Sequence, residues 1–186
     1  TEMIASWRAA RQEEFPFYII QIAPYSYWED SGARIRNIQR KVAQNTPKSG
    51  LIMTADVSTP DDIHPKNKKP VGERLANLVL KNEYGKHLGL VNAPTPERVL
   101  FEGQKAVVFL QNAEGLHFKN ARSPQFELAG KDGKYYPAKA VIKNNTIEIK
   151  SAQVKQPISV RYAWKNTAMP DIFNQIELPL TTFELE

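Results

Sequence analysis

Cysteine is absent from this chain of 186 residues, and long apolar runs are absent too. Without cysteine, disulfide bonds, thiolate metal sites and cysteine nucleophiles are excluded. No stretch reaches the roughly eighteen consecutive apolar residues of a membrane-spanning helix, so no membrane span is expected. Histidine is scarce, and His64, His87 and His117 lack the spacing of metal ligands. We therefore expect no metal site and no cofactor.

The positive charge of the chain does not indicate a nucleic-acid partner. The formal net charge is +5 and the isoelectric point is near 9.3. The densest basic group is Lys66, Lys68 and Lys69, and no basic run alternates with aromatic residues. Proteins that bind nucleic acids concentrate their charge in a patch or stripe. No nucleic acid is therefore expected among the partners.

The first part of the chain, residues 1–92, alternates between helical and strand-like patterns. Two apolar runs, 17–23 and 51–55, have the length of strands that are buried on both faces. Helical spacing predicts helices over 3–12, after Asp30 and after Pro70. In the second helix, Ile35, Ile38 and Val42 form an apolar stripe with basic residues opposite. This order predicts a parallel α/β sheet, and two strands are too few to complete one.

The second part, residues 93–186, is typical of short strands separated by turns. Pro94, Pro96 and Gly103 indicate a linker or boundary. Turns at Asp132-Gly133 and Asn144-Asn145 predict two hairpins. This part is therefore predicted to be a small all-β domain with a sandwich or barrel architecture.

The stretch Asp61-Asp62-Ile63-His64-Pro65 follows the second predicted strand and carries the candidate site. Open α/β sheets place their chemistry at the carboxyl ends of strands. A histidine with a nearby carboxylate can act as a general base. On the pattern alone, a solvated loop histidine is the simpler interpretation. The loop 24–29 after the first strand is aromatic, and its side chains either line a ligand site or only pack. Gln21 has two possible roles, a site residue or a core amide.

Several short stretches, which together span nearly the whole chain, carry a resemblance to a known family. The stretches are Trp7-Arg8, Phe15-Pro16-Phe17, Gln21-Ile22-Ala23, Asp56, Asp62-Ile63-His64-Pro65-Lys66-Asn67-Lys68, Val71-Gly72-Glu73-Arg74-Leu75-Ala76, Gly115-Leu116, Phe126-Glu127-Leu128-Ala129-Gly130, Asp132-Gly133, Val160-Arg161-Tyr162-Ala163-Trp164, Phe173-Asn174 and Leu178-Pro179. In these stretches, taken in the family's order, the chain resembles the C-terminal portion of the sialate O-acetylesterase (sialic acid-specific 9-O-acetylesterase) family of SGNH/GDSL-type carbohydrate esterases.

This resemblance implies the α/β fold class: the C-terminal part of a three-layer SGNH-hydrolase parallel sheet, followed by a small all-β, sandwich-like domain. It implies hydrolysis of O-acetyl esters on sialic acid by a serine, with acetylated xylan or another glycan as the alternative substrate. His64 matches the catalytic histidine of the family. Asp61 stands where the general SGNH pattern has its aspartate, and Asp62 where some relatives have theirs, so both remain candidates.

The nucleophile segment of the family has no counterpart in this sequence. No Gly-Asp-Ser or Gly-Gln-Ser-Asn occurs, and none of the serines has the setting of a nucleophile elbow. We therefore expect a processed subunit or a shortened product, inactive alone, whose serine comes from an N-terminal chain of the same enzyme. The resemblance also implies a periplasmic or secreted location.

A non-catalytic carbohydrate-binding or interaction protein is the alternative function. It would use the β-rich part and exposed aromatics such as Tyr135, Tyr136 and Trp164. Alternating strands normally bury such residues, so a core position is the favoured interpretation of all three.

Overall fold

The computed structural model describes all residues, 1–186, and contains three helices and eleven strands. The first part comprises α1 (Glu2–Arg11), β1 (Phe17–Ile20), α2 (Ser31–Asn45), β2 (Ser49–Ile52), a 3₁₀ turn (Ala55–Val57) and α3 (Lys69–Asn82). Strands β1 and β2 are parallel neighbours, in a register that pairs Phe17 with Ser49 and Ile20 with Ile52. Buried Ile52, Leu78 of α3 and Val91 form a small core beside this pair.

The remaining strands begin at residue 95. They are β3 (Thr95–Glu102), β4 (Lys105–Gln111), β5 (His117–Phe118), β6 (Phe126–Ala129), β7 (Tyr135–Lys143), β8 (Thr146–Lys150), β9 (Ser159–Tyr162), β10 (Ile172–Phe173) and β11 (Phe183–Leu185). Seven of them form one antiparallel sheet in the order β11-β9-β6-β7-β8-β4-β3. Its two edge strands approach each other, so the sheet is nearly closed.

The main hydrophobic core lies inside this sheet. It contains 15 buried residues, among them Phe126, Tyr162 and Phe183, whose rings pack 4.9–6.4 Å apart between centroids. Aromatic pairs at such distances add to the stabilisation that burial of their area provides. The largest share of the buried apolar surface therefore belongs to the β-rich part of the chain.

The predicted fold class, a three-layer parallel α/β SGNH sheet, is wrong. The parallel arrangement consists of two strands of four residues each, whereas the dominant sheet is antiparallel, has seven strands and is nearly closed. The helix–strand alternation of residues 2–82 correctly predicted local elements, but most of the strands lie elsewhere. The β-rich, sandwich-like component of that prediction agrees with the observed sheet.

The prediction for the buried face of α2 is also wrong. Ile35 is 42% exposed and Ile38 is 57% exposed, while Arg36, Asn37 and Arg40 are buried. The physical reason is hydrogen bonding: the Arg36 guanidinium donates to acceptors in the C-terminal segment that neutral aliphatic side chains could not satisfy. Periodicity correctly predicted the helix but not which face packs.

Strand β3 (Thr95–Glu102) lies where a linker or boundary was predicted. Pro96 is buried at a register shift in β3, the edge strand, where a missing N–H costs no ladder bond. Gly103, with φ 58°, turns the chain into β4. The two predicted hairpins are present, with β7 as their shared strand.

Side-chain bonds join residues on both sides of position 92. The buried Gln21 amide donates to Thr181 Oγ1 at 3.2 Å, and Arg36 Nη2 donates to the Lys165 carbonyl at 2.6 Å. The division into domains at 1–92 and 93–186 stays a prediction. None of the helices is long and apolar enough to cross a membrane.

Candidate functional site

The candidate site lies where β1 and β2 end. Because the strands are parallel, the loops that follow them, 21–30 and 53–68, leave from the same edge. The second loop carries Asp61, Asp62 and His64. Parallel strands offer their carboxyl ends as the usual position for loop residues that bind or react.

An ion pair fixes the base of the His64 loop. Both Arg74 terminal nitrogens of α3 donate to the two carboxylate oxygens of Asp56, at 2.8 and 2.5 Å. Arg74 Nη1 also donates to the Met53 carbonyl at 2.8 Å. Each side chain of the pair is only 15% exposed. Such a bidentate contact restricts the orientation of the two side chains as well as their distance, so it holds the start of the loop against α3.

The structure brings Asp62 and His64 together through the main chain. Asp62 Oδ1 accepts a hydrogen bond from the His64 backbone N–H at 2.8 Å. The Asp62 N–H in turn donates to the Thr59 carbonyl at 3.2 Å, which closes a tight turn. Asp62 therefore shapes the loop, as aspartates commonly do in turns.

The His64 imidazole is exposed and has no hydrogen-bond partner within the chain. Asp61 is also exposed, and its carboxylate is not bonded to the ring. An imidazole that points into solvent on a fixed loop can accept a proton from a group that approaches from outside. Within the chain, neither a hydroxyl nor a carboxylate is hydrogen-bonded to the ring.

Ser58, the serine nearest to His64 in the sequence, is not arranged as its nucleophile. It is buried, and its Oγ donates to the Thr54 carbonyl at 2.6 Å. None of the serine hydroxyls in the chain bonds to His64. The expectation that the serine nucleophile comes from outside these residues stays a prediction.

The aromatic loop 24–29 is held by the opposite part of the chain. The Asn166 side chain donates to the carbonyls of Tyr27 and Glu29 and accepts from the Gly32 N–H at 2.8 Å. The Tyr27 hydroxyl donates to the Ala23 carbonyl, and burial raises the pKa of Tyr27. Tyr27 is therefore a packing residue, whereas Trp28, 81% exposed, is free to contact a ligand.

Gln21 lies in the core. Its Nε2 donates to the Arg36 carbonyl and to Thr181 Oγ1, both at 3.2 Å. Its Oε1 is the one amide oxygen buried without a partner. These contacts support the interpretation of Gln21 as a core amide.

Four of the surface clefts have volumes of about 250–470 Å³, and none of these four is lined by the His64 loop. His64 and Asp61 are themselves exposed on that loop. No group of three or more acidic or histidine side chains is arranged to hold a metal ion.

Two important residues were not assigned a role from the sequence. Arg74 fixes the loop base, and the only signal was its place in a matching stretch that begins at Val71. Asn166 shapes the aromatic loop from 139 positions away, and no local pattern could reveal that contact.

Comparison with family models gives no match, and neither does comparison with curated proteins. Six solved chains match. One is described as a novel carbohydrate acetylesterase from Xanthomonas citri, with a TM-score of 0.89 and 30% identity. The match covers 99% of this chain and 44% of that chain. This chain thus spans less than half the length of the acetylesterase to which it is similar.

Proposed function

We propose that this chain is part of a carbohydrate esterase that removes O-acetyl groups from a glycan, and that His64 is its general base. The observation that carries this proposal is the similarity to the carbohydrate acetylesterase over 99% of the chain at 30% identity. The exposed position of His64, on a loop at the carboxyl end of a parallel strand, supports its role.

In the proposed reaction, a serine from outside these residues attacks the acetyl carbonyl and gives its hydroxyl proton to His64. The tetrahedral intermediate collapses, the bond between the carbonyl carbon and the sugar oxygen breaks, and His64 returns the proton to that oxygen. Water then attacks the acyl-serine and loses a proton to His64. Acetic acid leaves and ionises in water, and the serine regains its proton from His64.

The two aspartates receive different roles in this proposal. Asp62 holds the loop through the His64 backbone N–H, and Asp61 orients the imidazole when the serine-bearing part is in place. An acid that bonds to the second ring nitrogen fixes the tautomer that can accept the serine proton. Replacement of Asp61 by Asn should therefore lower turnover, while replacement of Asp62 should also loosen the loop.

O-acetylated sialic acid is the substrate we propose, with acetylated xylan as the competing one. The proposed partner is an N-terminal chain or segment of the same enzyme that carries the serine, and the proposed location is periplasmic or secreted. The non-catalytic alternative receives little support from its aromatics, since Trp164 is buried and Tyr135 lies under the Arg161 guanidinium at 3.8 Å.

The test is acetate release by the native assembly, purified from its host through a tag on this chain. We expect His64→Ala to lower kcat/KM by about 10²–10⁴-fold, the usual contribution of a general base. His87→Ala, at another exposed loop histidine, is the matched control and should leave activity unchanged. The chain alone should show no turnover of p-nitrophenyl acetate and no labelling by a fluorophosphonate.

Parallel assays with O-acetylated sialic acid and acetylated xylan separate the proposed substrates. An assembly without esterase activity, or a His64→Ala variant within twofold of the wild type, refutes the proposed function. Fluorophosphonate labelling of the isolated chain refutes the assignment of the serine to a partner.

A further inference from the structure

Three lysines lie side by side on the outer face of the antiparallel sheet. Lys139 of β7 is directly opposite Lys150 of β8, and Lys150 is directly opposite Lys105 of β4. Directly opposed residues have Cβ atoms about 4.5–5.5 Å apart, and like charges at that separation destabilise a sheet. Pairing of the strands does not require lysine at these positions, so this row of charges needs another explanation.

The acids around the row balance only part of its charge. Glu148, on the same face of β8 as Lys150, accepts a hydrogen bond from Lys143 Nζ at 2.9 Å and lies 3.7 Å from Lys105 Nζ. Lys105 has a second acidic neighbour in β3. None of the ion pairs or ammonium hydrogen bonds in the chain includes Lys139 or Lys150. Two neighbouring positive charges are therefore left without a partner.

These two lysines line a cleft of about 470 Å³, which we call the lysine cleft. Its volume lies within the roughly 300–1,000 Å³ of pockets that hold small molecules. Pro137 and Val141 also line it, and they flank Lys139 on the same face of β7. Val141 is 54% exposed. The lysine cleft therefore places an aliphatic surface beside the two free charges.

The wall of the lysine cleft opposite β7 is the segment 151–153, and hydrogen bonds hold its backbone in place. Ser151 Oγ donates to the Pro137 carbonyl at 2.8 Å and accepts from the Gln153 N–H at 3.4 Å. The side-chain amide of Gln153 is exposed and makes no hydrogen bond within the chain. It is therefore available to donate to a ligand.

We propose that the lysine cleft binds a small-molecule phosphate monoester, with the phosphoryl group between Lys139 and Lys150. A phosphate monoester carries a charge of about −1.5 to −2 at neutral pH and has three strong acceptor oxygens. One such group balances both ammonium charges, whereas a single carboxylate leaves one of them unbalanced. The organic part of the ligand then lies on Pro137 and Val141.

This site is independent of the proposed esterase reaction. All residues that line the lysine cleft belong to positions 137–153, and none belongs to the His64 loop. His64→Ala should therefore leave phosphate-ester binding unchanged, so the two proposals can fail separately.

The experiment is calorimetric titration of the full chain, at pH 8 and constant ionic strength, with phenyl phosphate, benzoate and inorganic phosphate. At this pH each phosphate carries about two negative charges, and benzoate carries one. We expect phenyl phosphate to bind at least tenfold more tightly than benzoate, and more tightly than inorganic phosphate, which leaves Pro137 and Val141 uncovered. Equal affinity for phenyl phosphate and either of the other two overturns the proposal, as does absence of phenyl phosphate binding.

Two variants each remove one of the free charges. Lys139→Gln and Lys150→Gln should both weaken phenyl phosphate binding at least tenfold, which corresponds to about 1.4 kcal/mol. Lys119→Gln removes the same charge at an exposed position outside the lysine cleft, so it is the matched control and should bind within twofold of the wild type. Wild-type affinity in Lys139→Gln or Lys150→Gln, or an equal loss in Lys119→Gln, overturns the proposal.

Thermal unfolding separates a binding role of these lysines from a structural one. Both are exposed, and removal of either relieves a contact between like charges, so neither variant should lower the Tm. Phenyl phosphate should raise the Tm of the wild type more than that of Lys139→Gln. A Tm that falls by several degrees in Lys139→Gln without ligand would mean that this lysine stabilises the sheet, and it would overturn the proposal.

Discussion

Replacing Arg74 by methionine tests whether its contact with Asp56 stabilises the base of the His64 loop. The variant keeps a long apolar stem but leaves the Asp56 carboxylate, 15% exposed, without its cation. Breaking a fully buried pair costs about 3–5 kcal/mol. Partial water access reduces that cost, so we expect a loss of about 2–3 kcal/mol in the free energy of unfolding. In a chain of 186 residues this lowers the Tm by about 5–10 °C.

The assay is thermal and denaturant unfolding of Arg74→Met, Asp56→Asn and the double variant. The double-mutant cycle isolates the coupling energy between Arg74 and Asp56, which should exceed about 1 kcal/mol for a bidentate ion pair. Lys69→Gln is the matched control, because the Lys69–Glu73 pair of the same helix is exposed and 3.8 Å apart. Hydrogen exchange in loop 53–68 should rise in Arg74→Met and not in Lys69→Gln.

The reasoning fails if Arg74→Met changes the Tm by less than 1 °C, or if the coupling energy is below about 0.5 kcal/mol. Either result would mean that water replaces the Arg74 guanidinium beside Asp56 at little cost in free energy. The loop would then owe its shape to the turn between Thr59 and Asp62 alone.

Two further predictions concern buried polar groups. Asn174 is fully buried, and its Nδ2 donates to the carbonyls of Asn92 and Asn112 at 3.0 and 3.1 Å. Asn174→Asp sets a carboxylate against these two carbonyls. It should lower the free energy of unfolding, measured with denaturant, by about 3–5 kcal/mol. A loss below 1 kcal/mol contradicts this. Burial raises the pKa of several tyrosines, and their neutral form stabilises the fold below pH 10, a contribution that is lost as the pH rises through their folded-state pKa values. Phenolate absorbance at pH 11 should therefore stay low at three tyrosines and appear only with unfolding; full ionisation in the native state is the opposing outcome. The three are Tyr18 (pKa about 12), Tyr135 (pKa about 12) and Tyr162.

Local elements were predictable where one physical signal acts alone. Asp132-Gly133 and Asn144-Asn145 favour turns through their own backbone preferences, and both turns are present. Strand β3 was missed because Pro96 reads as a breaker, although an edge strand tolerates it. The fold class was predicted wrongly because it was assigned from two short parallel strands and their intervening helices. Most of the strands belong to the antiparallel sheet instead.

The buried face of α2 could not be predicted from amphipathicity. Arg36 is buried because carbonyls of Lys165 and Asn166 accept from it, and those acceptors lie about 130 positions away along the chain. Hydrophobic periodicity assumes that charge faces water, and this helix reverses that rule on one side. His64 and its aspartates were identified as candidates from a local motif and a resemblance, and their catalytic role stays a prediction.

The contact between Asn166 and the aromatic loop has a consequence for the order of folding. The amide reaches back across 139 positions to the carbonyl of Tyr27. Contacts between such distant positions form late, because the intervening chain must first lose its freedom. During synthesis, the loop around Trp28 therefore lacks this contact until Asn166 has been added to the chain. The surface that displays Trp28 is thus shaped by a residue that is synthesised long after it.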